Sequence, residues 1–161
     1  MQDGSIWLPP GRRVVALGEV IGAFYSGGTP STGNPAYWGG SIPWITGADI
    51  VDQKVSQPRR WLSVEGARCG ATNVVPARGL LIVTRTGVGK VAIAPYDVAI
   101  SQDITGAIPR DGRVTAQFLY WWLATNSNRL EALRQGTSIN GVLREDLAAL
   151  RIPVPPVDQQ C

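Results

Sequence analysis

The sequence contains no histidine, and this absence narrows the chemistry open to the chain. Histidine is the commonest general base near neutral pH and the commonest metal ligand in proteins. Hydrolytic machinery of the Ser-His-Asp or Cys-His type is therefore excluded. The two cysteines, Cys69 and Cys161, stand far apart, and without histidine they make no zinc site. We expect no catalytic residue, no metal and no cofactor.

Signals for export or membrane insertion are also missing. No apolar run approaches the roughly 20 residues that a membrane-spanning helix needs. The first residues, MQDGSIWLPPGRR, lack the basic start, apolar stretch and cleavage site of a signal peptide. Two cysteines are too few for a disulfide scaffold. The simplest expectation is a soluble protein of the reducing cytoplasm.

The charge is mildly basic and consists mainly of arginine. Fifteen Lys and Arg stand against twelve Asp and Glu, a net charge of +3, and thirteen of the fifteen are Arg. This excess permits a polyanionic partner without requiring one. The rigid fork of arginine suits phosphates and guanine edges. A genome rich in G and C, whose codons favour arginine, explains the same composition at least as well.

The pattern of apolar residues predicts strands first and helices last. Strands are predicted at residues 14–17 and 42–46, in a hairpin of residues 80–85 and 91–94, and at 98–100. Residues 26–41 are predicted to be a long loop, and Pro43 suits a strand edge or start. Helices are predicted at residues 115–134, capped by Gly136, and at 144–150, followed by an extended exit at 152–156. This order argues for an α+β fold in one domain.

Several local motifs suggest chemistry but are incomplete. Residues 34–37, Asn-Pro-Ala-Tyr, approach the Asn-Pro-Pro-Tyr motif of amino-methyltransferases, yet no glycine-rich cofactor-binding unit accompanies them. Residues 87–90, Gly-Val-Gly-Lys, lack the first glycine and the final Ser or Thr of a phosphate-binding loop. Carboxylates at Asp49 and Asp52, and at Glu145 and Asp146, have no neighbouring base. Turns, solvated surfaces and helix caps explain all of these motifs better than catalysis does.

Taken together, the segments resemble the target recognition domain of the specificity subunit of Type I restriction-modification enzymes. The matching pieces follow the order of the family and span almost the whole chain: LPPG at 8–11, LGEV at 17–20, GGTPS at 27–31, YWGG at 37–40, IPWI at 42–45, Asp49-Ile50, PARG at 76–79, the turn at 85–90, SQD at 101–103, FLY at 118–120, GTSINGV at 136–142, Asp146-Leu147 and the exit at 152–156. Departures are modest. Arg12 replaces an aromatic, and Leu143 replaces a polar cap before the last helix.

The resemblance implies a curved, mostly antiparallel β-sheet with helices toward the C-terminus. It also implies sequence-specific binding of double-stranded DNA, in which residues 1–161 form one recognition domain that reads half of a bipartite target. A second recognition domain reads the other half, and methyltransferase and restriction subunits supply the catalysis. They dock through helical regions, including a spacer helix that this chain is expected to lack.

The candidate DNA contacts lie mainly between the recurring motifs, in residues 53–60, 68–73 and 110–113. The individual candidates are five cations and one aromatic wedge: Arg59, Arg60, Arg68, Arg85, Lys90 and Trp38. Two rival functions remain open. One is a protein-interaction module that docks on a methyltransferase through an apolar patch around Trp121. The other is a degenerate DNA adenine methyltransferase that uses residues 34–37.

Overall fold

The structure is a computed structural model and describes residues 10–134 and 141–160. In these residues the chain forms twelve strands and five α-helices. The strands are β1 (Arg13–Ala16), β2 (Ile21–Ser26), β3 (Trp38–Ile45), β4 (Ile50–Val51), β5 (Lys54–Val55), β6 (Arg60–Leu62), β7 (Val74–Val75), β8 (Leu80–Val83), β9 (Val91–Ile93), β10 (Val98–Ile100), β11 (Ile104–Pro109) and β12 (Arg151–Val154). The helices are α1 (Leu17–Val20), α2 (Val64–Arg68), α3 (Ala116–Thr125), α4 (Ser127–Glu131) and α5 (Arg144–Ala149).

Two four-stranded sheets form the centre of the structure. The first, which we call the helix-side sheet, has the order β2-β11-β8-β9 and is antiparallel throughout. The second, the outer sheet, has the order β6-β3-β10-β7, and its β3–β10 pair is parallel. Two antiparallel pairs complete the structure, β1 with β12 and β4 with β5. The predicted α+β class with mostly antiparallel pairing is therefore confirmed.

The alternation of side chains along the strands builds the layers of the core. In β8, Leu80 and Ile82 pack with the helices, whereas Leu81 and Val83 face the outer sheet. All four β8 residues are buried. In β10, Val98 and Ile100 complete the layer between the sheets, while Ala99 faces the opposite way. Successive side chains of a strand point to opposite faces, so one apolar strand serves two layers.

The outer face of the outer sheet holds a small third cluster. Trp44, Leu62 and Ala99 are buried there, and Trp38 packs against them. Other described residues that complete this cluster are only partly buried. The buried cluster on the aromatic side of the molecule is thus much smaller than the one on the helical side.

The predicted hairpin, the strand at 98–100 and the last helix are confirmed. β8 pairs with β9 from Leu80 opposite Ile93 to Ile82 opposite Val91. α5 begins at Arg144, and Leu143 at its N-cap makes no side-chain capping bond, as its apolar side chain requires. Glu145 and Asp146 lie in the first turn, as predicted.

The long predicted helix is interrupted at Asn126. The amide Nδ2 of Asn126 donates to the carbonyl of Trp122 at 2.8 Å, and its backbone N–H donates to the same carbonyl at 3.0 Å. This side chain competes with the helical hydrogen bonds, so α3 ends and α4 starts as a separate turn. The predicted cap, Gly136, lies outside the described residues.

Three further expectations were wrong. Residues 38–41 of the predicted loop belong to β3, and Pro43 lies inside that strand. The strand tolerates Pro43 because β10 pairs only with Trp44 and Ile45, which leaves one side of β3 unpaired at the proline. The order of strands before helices also fails at β12, which follows α5 and pairs with β1.

Within the described part of the chain, no helix is long and apolar enough to cross a membrane.

Candidate nucleic-acid interface

The guanidinium of Arg60 lies over an aromatic pair on the outer sheet. Its guanidinium carbon is 3.7 Å from the ring centroid of Trp38 and 5.5 Å from that of Trp44. The two indoles meet edge to face, with centroids 5.3 Å apart and an interplanar angle of 90°. β6 pairs with β3 so that Arg60 stands opposite Trp44. We call these three residues the arginine–tryptophan stack.

Hydrogen bonds fix both indoles of the stack. Nε1 of Trp38 donates to the carbonyl of Ser31 at 3.0 Å, and Nε1 of Trp44 donates to the carbonyl of Gly28 at 3.1 Å. Trp44 is only 4% exposed, and Trp38 is half-buried. Trp38 was predicted to be an exposed wedge in a loop, but here it lies in β3 beneath Arg60.

Helix α2 packs beside the stack because two glycines allow close approach. A Cβ on Gly66 would lie 2.2 Å from the carbonyl oxygen of Tyr37, and a Cβ on Gly40 would lie 2.4 Å from that of Leu62. Ser63 caps α2 through a bond from the N–H of Gly66 and donates its own hydroxyl to the carbonyl of Ala36.

Three of the sequence candidates, Trp38, Arg60 and Arg68, therefore lie on this side of the molecule. Arg68 is exposed in the last turn of α2, next to the strands that carry Trp38 and Arg60.

The Asn-Pro-Ala-Tyr segment forms a 3₁₀ turn, Pro35–Tyr37. Oδ1 of Asn34 accepts a hydrogen bond from the backbone N–H of Ala36 at 3.1 Å. Asn34 is therefore occupied as a cap of this turn, which agrees with the structural interpretation of the motif.

Arg59 differs from Arg60, although the two are adjacent in sequence. Nε of Arg59 donates to Oδ1 of Asp49 at 2.7 Å. Asp49 is 3% exposed, and its other oxygen accepts from the backbone N–H of Thr46, closing a capping box. Asp49 is therefore a structural carboxylate, and Arg59 neutralises it.

The hairpin tip folds back on the protein. Thr86, Gly87 and Gly89 adopt positive φ angles of 41°, 102° and 109°. Nζ of Lys90 donates to the carbonyl of Gly47 at 3.3 Å. The side chain of Lys90, a candidate DNA contact, is thus anchored on the protein in this structure.

A second group of cations lines a cleft of about 260 Å³ at the end of β2. Nη2 of Arg144 donates to Oγ of Ser26 at 2.6 Å, and the Arg144 guanidinium lies 5.0 Å from the Phe24 ring centroid. Arg85 lines the same cleft, and its backbone bridges to Gly141. We call this the two-arginine cleft. Sequence reasoning named Arg85 and missed Arg144, because Arg144 looks like an ordinary helix residue in the sequence.

Asp103 modifies the charge beside Arg85. Burial raises the pKa of the Asp103 carboxyl, and this effect exceeds the opposing influences of the Arg85 charge and the Thr86 hydroxyl. The carboxylate is therefore harder to ionise here than in water.

The stack and the cleft share one short segment, residues 26–28. The hydroxyl of Ser26 accepts from Arg144 in the cleft, and the carbonyl of Gly28 accepts from Trp44 in the stack. Residues 26 and 28 are at most roughly 7 Å apart along the chain. The stack and the cleft therefore both contact one short stretch of backbone. In the described ranges, no group of three or more His, Cys, Asp or Glu side chains is placed to hold a metal ion.

Comparison with known proteins identifies the family of this chain. Residues 10–161 match the family described as the Type I restriction modification DNA specificity domain, and the chain belongs to this family. The chain is 30% identical over 154 residues to the MjaIX specificity subunit of Methanocaldococcus jannaschii, which covers 92% of this chain and 34% of that protein. It is 29% identical over 151 residues to the EcoR124I/EcoR124II specificity subunit of Escherichia coli, which covers 89% of this chain and 37% of that protein.

Solved structures agree with the sequence comparison. The HsdS subunit from Thermoanaerobacter tengcongensis superposes with a TM-score of 0.76 at 27% identity, over 98% of this chain and 36% of that one. The chain spans about a third of the length of the specificity subunits that it matches.

Proposed function

We propose that this chain binds duplex DNA sequence-specifically and reads one half of a bipartite target for a Type I restriction-modification complex. The observation that carries the proposal is that the arginine–tryptophan stack and the two-arginine cleft both contact the short segment of residues 26–28. Membership of the DNA specificity domain family supports the same function.

The stack and the cleft suit two different kinds of contact with DNA. Phosphate contacts supply affinity and register, and contacts to base edges supply discrimination. Arg144 is held by Ser26 and Phe24 in a concave site with Arg85, which suits a phosphate with several acceptor oxygens. Arg68 remains a candidate for a further phosphate contact. Arg59 and Lys90 are weaker candidates, because Arg59 already pairs with Asp49 and Lys90 is bound to the Gly47 carbonyl.

The chemistry of modification and cleavage belongs, in this proposal, to partner subunits. The chain acts as one non-catalytic recognition domain, and a second such domain reads the other half of the target. A methyltransferase subunit and a restriction subunit complete the complex. The proposal places the chain in the cytoplasm, because the DNA that it would read lies there.

A second function, docking on a methyltransferase, is favoured by one observation. Trp121 on α3 is 57% exposed and meets Tyr120 with ring centroids 5.2 Å apart. Exposed tryptophans are common anchors of protein interfaces. Docking and DNA reading are compatible, since α3 belongs to the helical side of the molecule and the stack to the opposite side.

Selection from a pool of randomised duplex DNA tests the main proposal. We expect the chain to enrich a short motif, with affinity that falls as salt rises because phosphate contacts release counterions. Replacing both cleft arginines, Arg85→Ala with Arg144→Ala, should weaken binding about equally on every sequence. It should also reduce the salt slope by roughly two, because each of the two arginines would neutralise one phosphate.

A matched control is Arg151→Ala, which removes one exposed arginine from β12, a strand outside both sites. This variant should keep the motif and most of the affinity. A folded chain that shows a cooperative thermal transition but binds no DNA at low salt would contradict the proposal.

A further inference from the structure

We infer that Arg60 reads a guanine in the DNA target, and that Trp38 and Trp44 position its guanidinium for this contact. The inference rests on the proposed DNA-binding function and goes beyond it by naming the reading residue and the base.

Arg60 is held by successive layers of increasing burial. Trp44, 4% exposed, supports the half-buried Trp38 edge to face, and the guanidinium carbon of the exposed Arg60 lies over the Trp38 ring at 3.7 Å. Hydrogen bonds to the carbonyls of Ser31 and Gly28 set the plane of each indole. The plane of the guanidinium is therefore set by the protein before any ligand arrives, which reduces the entropy lost on binding.

A stacked guanidinium keeps its hydrogen-bonding edge available. Stacking occupies the faces of the group, whereas its N–H donors point outward in the plane. Arg60 lies on β6, an edge strand of the outer sheet, and its side chain is exposed. Trp61 and Val64, which follow Arg60 in the chain, are also exposed, at 40% and 54%, so this edge of the sheet is accessible.

A fixed planar edge with parallel donors matches guanine among the four bases. In the major groove guanine presents two adjacent acceptors, O6 and N7. Adenine presents an acceptor beside a donor, cytosine presents a donor, and thymine presents one acceptor and a methyl group. A bidentate arginine contact therefore discriminates in favour of guanine, while a lone charge near a phosphate does not.

The neighbouring arginine shows what a purely structural role looks like. Arg59 uses its Nε to neutralise the buried carboxylate of Asp49. Arg60 instead meets aromatic faces, and a role limited to covering Trp38 would need only its apolar stem. The two roles of Arg60, contact with a base and packing over Trp38, can be tested separately. An apolar side chain of similar length can cover the indole, but it cannot donate hydrogen bonds to a base.

The test compares the wild-type chain with Arg60→Lys and Arg60→Met in the randomised selection. We expect the wild type to enrich a motif with a guanine at one position. Arg60→Met should lose the preference at that position, a loss of roughly 10- to 100-fold in discrimination. Arg60→Lys should lose part of it, because an ammonium can donate to O6 and N7 but lacks a planar group to stack on Trp38. Both variants should keep the preference at the other positions. Arg60→Lys retains the charge, and Arg60→Met retains the cover over Trp38. Thermal melting of both variants shows that they fold.

A modified DNA probe makes the assignment without relying on the variants alone. Replacing the selected guanine by 7-deazaguanine removes the N7 acceptor and leaves the base pair intact. Wild-type affinity should fall about 10-fold on this probe, whereas Arg60→Met should bind both probes equally. Trp38→Leu should weaken discrimination at the same position, and Trp38→Phe, which keeps a ring under the guanidinium, should restore most of it.

The possible outcomes separate the inference from the proposed function. Absence of any motif for the wild type would overturn the proposed function. A motif that survives unchanged in Arg60→Met, or sensitivity to 7-deazaguanine that persists in this variant, would overturn the guanine assignment alone. A uniform loss across all positions would identify Arg60 as a phosphate contact and would also overturn the assignment.

Discussion

The helical face and the aromatic face of this protein differ in how many buried side chains hold them together. Among the described residues, fourteen buried apolar side chains join the helices to the helix-side sheet, while three form the buried cluster on the outer face of the outer sheet. The first face is aliphatic and closed. The second depends on two indoles, their hydrogen bonds and close packing at glycine. Substitutions on the first face should therefore affect the whole fold, and those on the second should act locally on the candidate interface.

Truncation in the layer between the sheets should give the largest effect. Leu81 is fully buried, and its partners in the neighbouring strands are the small residues Ala92 and Gly106, which cannot fill a space that it leaves. Leu81→Ala should lower the free energy of unfolding by about 2–5 kcal/mol. Urea denaturation measures this loss. Val51→Ala, at a position 52% exposed, is the control and should change stability by less than about 0.5 kcal/mol. Equal losses at both positions would break the distinction between core and surface.

A smaller and more local effect is expected at Gly66. In an ordinary exposed helix, Gly→Ala stabilises by about 1 kcal/mol. Here the new Cβ would lie 2.2 Å from the carbonyl oxygen of Tyr37, so α2 must move away from the 3₁₀ turn. Gly66→Ala should therefore destabilise by about 1–3 kcal/mol and weaken motif selection.

The control for Gly66 is Gly33→Ala, where the nearest atom to the new Cβ is an ordinary 3.7 Å away. Stability from thermal melting and motif strength from selection are the two measurements. A stabilised Gly66→Ala with normal selection would show that the aromatic face tolerates movement of α2.

The smallest effect is expected at Asp103, beside the two-arginine cleft. Because burial raises the pKa of this carboxyl, its ionised form is disfavoured in the fold, and its contribution to stability is lost as the pH rises through that raised pKa. Asp103→Asn should therefore be slightly more stable than the wild type at neutral pH. The difference should vanish at acid pH, below the ordinary carboxyl pKa, where both side chains are neutral.

Asp103→Asn also removes a negative charge near Arg85. DNA affinity at low salt should rise roughly two- to fivefold on all sequences alike. A stability advantage that grows toward acid pH would contradict the direction of the pKa shift, and a change in the selected motif would show that Asp103 affects reading of bases.

The sequence predicted elements with a strong local signal and missed those set by distant contacts. The β8–β9 hairpin carries an unbroken apolar run and was predicted correctly. β11 (Ile104–Pro109) was missed, because glycine and proline argue against a strand. The strand nevertheless lies between β2 and β8, and Gly106 is required there because a Cβ would lie 2.4 Å from the Val75 side chain.

In the candidate site, too, the contacts between residues distant in sequence could not be predicted. Arg60, Arg68 and Trp38 were named as separate candidates, and no local pattern indicates that Arg60 stacks on an indole 22 positions earlier. Arg144 was missed because its partners, Ser26 and Phe24, come from the other end of the chain. Likewise, the anchoring of Lys90 on the Gly47 carbonyl depends on the fold that surrounds the hairpin.

The antiparallel pairing of β1 with β12 determines which parts of such a domain can diverge during evolution. Arg13 stands opposite Val154 and Ala16 opposite Arg151, so the backbone enters and leaves the domain side by side, joined by its own ladder. Chain ends held together in this way make a domain tolerant of insertion and exchange. The interior loops can therefore diverge, or the whole domain be replaced by another, while the two attachment points stay in register. Under the proposed function, a new target specificity would therefore require no change in the β1–β12 pair.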